Sequence, residues 1–116
     1  MPSFRASLGI IDALPGVPPE AVLDAARAAV GAVRHVEDAF VDVEPVARGD
    51  GVPRVVVRFL QPTTNDVEED ADAWRTARLM AEAVRAVAIT ATLRVYRRAG
   101  GRWLPRAAPE DADPGW

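Results

Sequence analysis

The stretch DAFVDVEPVARGDGVPRVVVRFL, residues 38–60, decides the fold, because it reads as two strands joined by a tight turn. In each half, every second residue is apolar and most of the residues between them are charged, which is the period of a strand with one buried face. The segment between them, Arg48-Gly49-Asp50-Gly51, consists of residues that tolerate positive φ and therefore predicts a hairpin. If both apolar sets face one core, Val43 pairs with Val55, Val41 pairs with Val57 and Glu44 lies opposite Arg54.

Working outward from this hairpin, the same alternation predicts a first strand over residues 3–11 and a fourth strand over 90–96. An apolar stripe with helical spacing predicts a helix over 20–34, after the prolines at 18 and 19. Asn65, with Glu68 three residues later, is the start signal of a second helix over 66–87. Residues 102–104 can add a short fifth strand after Gly100-Gly101.

The resulting order, β-α-β-β-α-β over residues 3 to 98, resembles the ferredoxin-like fold in pattern, with no family signature behind it. The resemblance implies an α+β sandwich in which an antiparallel sheet of order 4-1-3-2 carries two helices on one face. We expect one domain over residues 1–105. Residues 106–116 are rich in proline, alanine and acid, and we expect them to form a flexible tail, with Trp116 as a further contact.

Composition excludes several classes of protein. The 116 residues are 49% hydrophobic and 27% charged, which is typical of a globular domain. The absence of cysteine excludes disulfides, thiolate nucleophiles and cysteine metal sites within this chain. A net charge of −3 argues against a nucleic-acid binder. Because there is no leader pattern and no apolar run long enough for a membrane span, we expect a cytoplasmic protein without membrane contact.

No catalytic, metal or cofactor site is predicted, and the sequence leans against an enzyme. His35 is the only histidine, and it ends the first helix, where capping or solvent exposure is a sufficient explanation. The acids at 68–72 are spread around a helix start, and they are interpreted as a solvated first turn. The glycine pairs do not lie between a strand and a helix as phosphate loops do.

The open face of the sheet, opposite the helices, is where we expect function. By strand parity it holds a mixture of charged and apolar side chains that would be exposed in a monomer. The predicted interaction residues are Phe40, Val56, Arg58, Leu60 and Tyr96. The leading hypothesis is a non-enzymatic interaction domain that forms a homodimer, or binds a protein partner, through this face. The sequence neither supports nor opposes a role as an assembly subunit.

The alternative hypothesis is a small protein, or small enzyme, that binds an organic anion. In strand order 4-1-3-2, Arg5, Arg94 and Arg98 lie far from the acids of the second strand, so their guanidinium groups lack obvious counter-ions. Arginine suits carboxylate or phosphate recognition. These three residues are therefore the predicted anion site.

Overall fold

The computed structural model describes residues 1–45, 49 and 51–109. It contains five strands and two helices. In chain order they are β1 (Ser3–Ala13), α1 (Pro19–Gly31), β2 (Val36–Glu44), β3 (Val52–Leu60), α2 (Asp66–Arg85), β4 (Ala88–Ala99) and β5 (Arg102–Arg106). In the part of the chain described, neither helix is long and apolar enough to cross a membrane.

The five strands form one antiparallel sheet in the order β2-β3-β1-β4-β5. The first four strands therefore have the neighbours that the sequence predicts, but the order differs from 4-1-3-2 because β5 extends the sheet beyond β4. The described residues thus form an α+β structure with a five-stranded sheet. β5 continues to Arg106, one residue into the predicted tail, and residues 110–116, including Trp116, lie outside the described residues.

The predicted register of the β2–β3 hairpin is wrong by two residues. Val41 pairs with Val55 rather than with Val57, and Asp42, rather than Glu44, lies opposite Arg54. A shift of two preserves which face each side chain occupies, so hydrophobic alternation could not exclude it. Arg48 and Asp50 of the predicted turn lie outside the described residues. Gly51 has a φ of +89°, and a Cβ there would lie 2.8 Å from the Glu44 carbonyl oxygen.

Both helices begin as the sequence indicates but end earlier than predicted. Proline occupies the first helical position of α1, where its missing N–H would have no intrahelical partner. Asn65 caps α2 by accepting a 3.0 Å hydrogen bond from the Glu68 amide. α1 ends at Gly31 and α2 at Arg85, each followed by an alanine whose amide bonds back into the last turn.

The core lies between the helices and the inner face of the sheet. Phe4 and Phe59 stack there on neighbouring strands, with ring centroids 6.2 Å apart. Most other core side chains are small or aliphatic, which allows the helices to pack close to the sheet. The buried apolar residues of this core are Phe4, Ala6, Leu8, Val22, Ala26, Val30, Val55, Val57, Phe59, Ala73, Trp74, Ala77, Met80, Ala81, Val84, Ala88 and Val95.

Two valines predicted for the core are exposed. Val41 and Val43 lie on the helix-facing side of β2, but they are 56% and 55% exposed. β2 is an edge strand, and a groove of about 290 Å³, lined in part by Val41, Val55 and Pro19, remains open beside it. The helices therefore do not cover this end of the sheet.

Candidate functional site

The open face of the sheet is formed by side chains from all five strands. Pairing places Arg58, Arg5 and Tyr96 in one row across β3, β1 and β4. Trp103 of β5 lies opposite Arg98, so its side chain is also on this face. The sheet thereby brings residues from both ends of the chain to one surface.

Trp103 is the centre of a cluster of cations. The guanidinium carbon of Arg5 lies 4.2 Å from the centroid of the Trp103 ring. The corresponding distances are 5.2 Å for Arg58 and 5.4 Å for Arg98. Arg5 also lies 5.3 Å from the Phe40 ring, so it is held between two aromatic side chains. Attraction between each cation and the ring face offsets part of the repulsion among the three arginines.

Arg58 is the arginine of this cluster with a counter-ion. Its Nε–H lies 3.0 Å from both Glu37 Oε1 and the Ser3 hydroxyl. The Ser3 hydroxyl also donates to Glu37 at 2.5 Å. Donation from Ser3 and the nearby Arg58 cation lower the pKa of Glu37 against the opposing effect of burial.

Arg5 is not satisfied in the same way. Its Nε is buried, and among the described residues no acceptor lies within hydrogen-bonding distance. Burial, followed by the charges of Arg58 and Arg98, lowers the pKa of Arg5 against the attraction of Asp42 and Asp38. An anion placed beside Arg5 would relieve both the repulsion and the missing hydrogen bond.

A second group of charges on the same face is internally paired. Arg54 holds Asp42 in a bidentate ion pair, with distances of 2.5 Å from Nε and 3.2 Å from Nη2. Hydrogen bonding to Asp42 is the main reason why the pKa of Arg54 is raised. Glu44 lies 3.2 Å from Nη1 of Arg94 and 4.0 Å from Nη1 of Arg54.

A small cavity of about 150 Å³ is lined by residues of both the cation cluster and this paired group. Its lining residues are Arg5, Ser7, Asp42, Arg54, Val56, Tyr96 and Trp103. With a liquid water occupying about 30 Å³, the space suits a carboxylate or phosphate group rather than a larger molecule.

The structure brings two of the three predicted anion-binding arginines together. Arg5 and Arg98 both belong to the cluster around Trp103. Arg94 differs from the expectation, because its long side chain reaches Glu44 across two intervening strands. Strand separation was a poor guide to this contact, since an extended arginine spans more than one strand spacing.

The predicted interaction residues are less exposed than expected. Val56 is only 3% exposed, and Phe40, Leu60 and Tyr96 are half-buried rather than exposed. Arg58 lies on the same face but is bound to Glu37. The continuous apolar surface expected in a monomer is therefore largely covered by side chains of the same chain.

Sequence reasoning missed Trp103 and Glu37. The Ala99-Gly100-Gly101-Arg102 turn contained the signal for Trp103, because a two-residue hairpin would pair residues 98 and 103 on one face. Glu37 had no comparable signal. The register shift between Val36 and Asp38 brings it to Arg58, and alternation alone cannot locate such an irregularity.

The acids at the start of α2 are not simply the solvated turn that was expected. Glu69 is 3% exposed and binds Arg97 at 2.7 Å, while Asp70 and Asp66 bind the same guanidinium group. Asp70 also binds Arg106 of β5. Within residues 1–45, 49 and 51–109, no group of three or more acidic, histidine or cysteine residues could hold a metal ion.

Comparison with known proteins adds no family, since no family model, curated protein or solved structure matches this chain. The function proposed below therefore rests on the geometry of the open face.

Proposed function

We propose that this chain is a non-enzymatic binding domain whose open sheet face holds an organic anion against Arg5 and Arg98. The observation that supports this most directly is the buried Nε of Arg5, which has no acceptor among the described residues although two further cations lie beside it. Arginines with free N–H groups bind carboxylate or phosphate through charge-assisted hydrogen bonds.

The aromatic residues would fix the arginines in place for this role. A guanidinium group that lies over a ring keeps the N–H donors at its edge available for an anion. Ser7 and Tyr96 line the adjoining cavity and supply hydroxyl groups that can donate to the same ligand. Asp42 also lines the cavity and would repel a second anionic group, which favours ligands with a single anionic end.

A thermal-shift titration with benzoate and inorganic phosphate tests this proposal. We expect at least one of these anions to raise the melting temperature in a saturable way, because a ligand that binds only the folded state stabilises it. Arg98→Ala should weaken the apparent affinity by about tenfold, which corresponds to the loss of one charge-assisted contact.

Arg94→Ala is the matched control. It removes the same charge from the same strand, but Arg94 is bound to Glu44 and lies outside the cluster around Trp103. The affinity should stay within about twofold of the original value. Absence of any response, or a response that survives Arg98→Ala and Trp103→Leu, would contradict an anion site on this face.

Self-association through the same face is a second candidate, favoured by an uneven distribution of charge. Asp38 lies on edge strand β2, whereas Arg98 lies on β4, three strands away, and neither forms an ion pair among the described residues. A two-fold axis parallel to the strands would place the acidic edge of one copy over the basic edge of the other.

Sedimentation equilibrium at micromolar concentration separates this candidate from a monomeric binding domain. A dimer that Phe40→Asp and Leu60→Asp both dissociate would support it. A monomer whose solubility and stability are unchanged by both substitutions would eliminate it. Binding of a different protein through the same face also stays a prediction.

We also propose that the architecture is ferredoxin-like with an added edge strand. The support is the β-α-β-β-α-β element order of the first six elements, with β1 between β3 and β4. A cytoplasmic location stays a prediction.

A further inference from the structure

A larger groove lies on the other side of the molecule, between α2 and β4. It has a volume of about 670 Å³, which is within the range of small-molecule sites. Trp74 and Arg78 line its helical wall, while Ala91 and Leu93 line its strand wall. It stays open because β5 pairs only with the later half of β4, from Val95 to Ala99.

Three hydrogen-bond donors at this groove have no partner. Trp74 Nε1 and the Nε and Nη2 atoms of Arg78 are buried, and none has an acceptor among the described residues. Trp74 itself is 8% exposed. Buried donors are nearly always satisfied in folded proteins, so three at one groove indicate that an acceptor belongs there.

The charges around the groove specify what kind of acceptor it is. Arg78 lies over the Trp74 ring at 5.7 Å, and Arg85 also lines the groove. Glu82 is exposed at its border, but it forms no ion pair with Arg78 in the described part of the chain. The acceptor should therefore be anionic.

We propose that this groove binds a carboxylate, whose oxygens accept hydrogen bonds from Trp74 Nε1 and the guanidinium group of Arg78. One neutral indole donor and one guanidinium group match a singly charged carboxylate better than a phosphate dianion. The walls at Ala91 and Leu93 would contact an apolar body attached to that carboxylate. This site is independent of the one proposed on the open sheet face.

Such a carboxylate can come from two sources. One is a free organic acid. The other is this chain's own segment 110–116, which contains Glu110, Asp111 and Asp113 and begins two residues after Ala108, a residue that lines the groove. The experiment therefore compares the full chain with a full-length variant carrying Glu110→Gln, Asp111→Asn and Asp113→Asn.

The measurement is the indole N–H signal of Trp74 in ¹H–¹⁵N correlation spectra, assigned by its loss in Trp74→Phe. Benzoate is the probe, and uncharged benzamide is its matched control. We expect benzoate, but not benzamide, to shift the Trp74 signal saturably. Arg78→Ala should weaken this binding by about tenfold or more.

Two control variants separate this site from other effects of charge. Arg75→Ala removes an exposed arginine of the same helix that is paired with Asp72, and it should leave the benzoate affinity unchanged. Arg98→Ala weakens the site proposed on the open face, and it should leave the Trp74 response unchanged. Benzoate bound in this groove would also raise the melting temperature. The thermal-shift test of the open face is therefore repeated in Arg78→Ala, so that the two proposals can fail separately.

A benzoate response in the full chain identifies a free acid as the ligand. A response that appears only after the three tail acids are neutralised, accompanied by a change in the ligand-free Trp74 signal, identifies the chain's own carboxylate. No saturable response in either protein would overturn the proposal. It would also be overturned if the benzoate affinity is unchanged in Arg78→Ala, or if the affinity measured at the Ala91–Leu93 amides is unchanged in Trp74→Phe.

Discussion

Arg97 and Arg98 are neighbours on β4, but alternation places them on opposite faces of the sheet and in opposite electrostatic situations. Arg97 lies on the helix side, where Asp66, Glu69 and Asp70 all bind its guanidinium group. Arg98 lies over Trp103 and forms no ion pair within the described residues. The first arginine connects α2 to the sheet, whereas the second retains donors that a ligand can use.

The largest expected difference between the two arginines is in stability. Arg97→Ala leaves the carboxylate of Glu69, which is 4% exposed, without this cation, and we expect a larger loss in the free energy of unfolding than for Arg98→Ala. Arg98→Ala should change it by less than about 0.5 kcal/mol. Urea denaturation measures both values, and equal effects would show that Arg97 has no special structural role.

The pH dependence of stability provides a second test of the ion pair between Arg97 and Glu69. Hydrogen bonds from Arg97 and from the Thr64 amide lower the pKa of Glu69 below its usual value of 4.5. Its stabilising contribution is therefore complete above the unfolded-state pKa, and it is lost as the pH falls through the lower folded-state pKa.

Unfolding measured between pH 7 and pH 2 should show a steeper loss of stability for the wild type than for Glu69→Gln. Glu68→Gln is the matched control, because Glu68 is an exposed acid in the same helical turn. Identical profiles for the wild type and Glu69→Gln would contradict the pKa direction.

The paired charges on the open face should have a smaller effect on stability than the Arg97 cluster. Asp42→Asn removes a bidentate pair with Arg54 in which both side chains are partly exposed. We expect a loss of only about 0.5 to 1 kcal/mol in urea denaturation. A loss comparable to that of Arg97→Ala would mean that the more exposed ion pair on the open face stabilises the fold as much as the more buried ion pair on the helix side.

Local pattern was sufficient to predict the elements, whereas the neighbours of the first four strands were predicted from the resemblance of the element order to the ferredoxin-like fold. Alternation found four strands, and Asn65 with Glu68 marked the start of α2. Alternation could not determine the β2–β3 register, because a slip of two residues preserves every face. It also could not show that the helices leave Val41 uncovered, since coverage depends on where a helix lies relative to an edge strand.

For the candidate site, the sequence identified the sheet face and the residue types, but not which side chains contact one another. The structure clusters Arg5 and Arg98 around Trp103, whereas Arg94 reaches Glu44. Arg5 is not distant from acids as expected, because the charges of Asp42 and Asp38 partly oppose the lowering of its pKa by burial and by the neighbouring arginines. Anion binding by these arginines stays a prediction. The sequence could not place Trp103 beside Arg5, because these residues are 98 positions apart and meet only through the pairing of β5 with β4.

By itself, the sequence determined an α+β chain with one covered and one open sheet face, because side-chain periodicity is a local property of the backbone. Only the tertiary structure decided which arginines have counter-ions. Arg97 meets three carboxylates from α2, while Arg5 and Arg98 meet a tryptophan. Such pairings depend on which distant segments lie within a few ångströms, and this is fixed only when the strands and helices pack together.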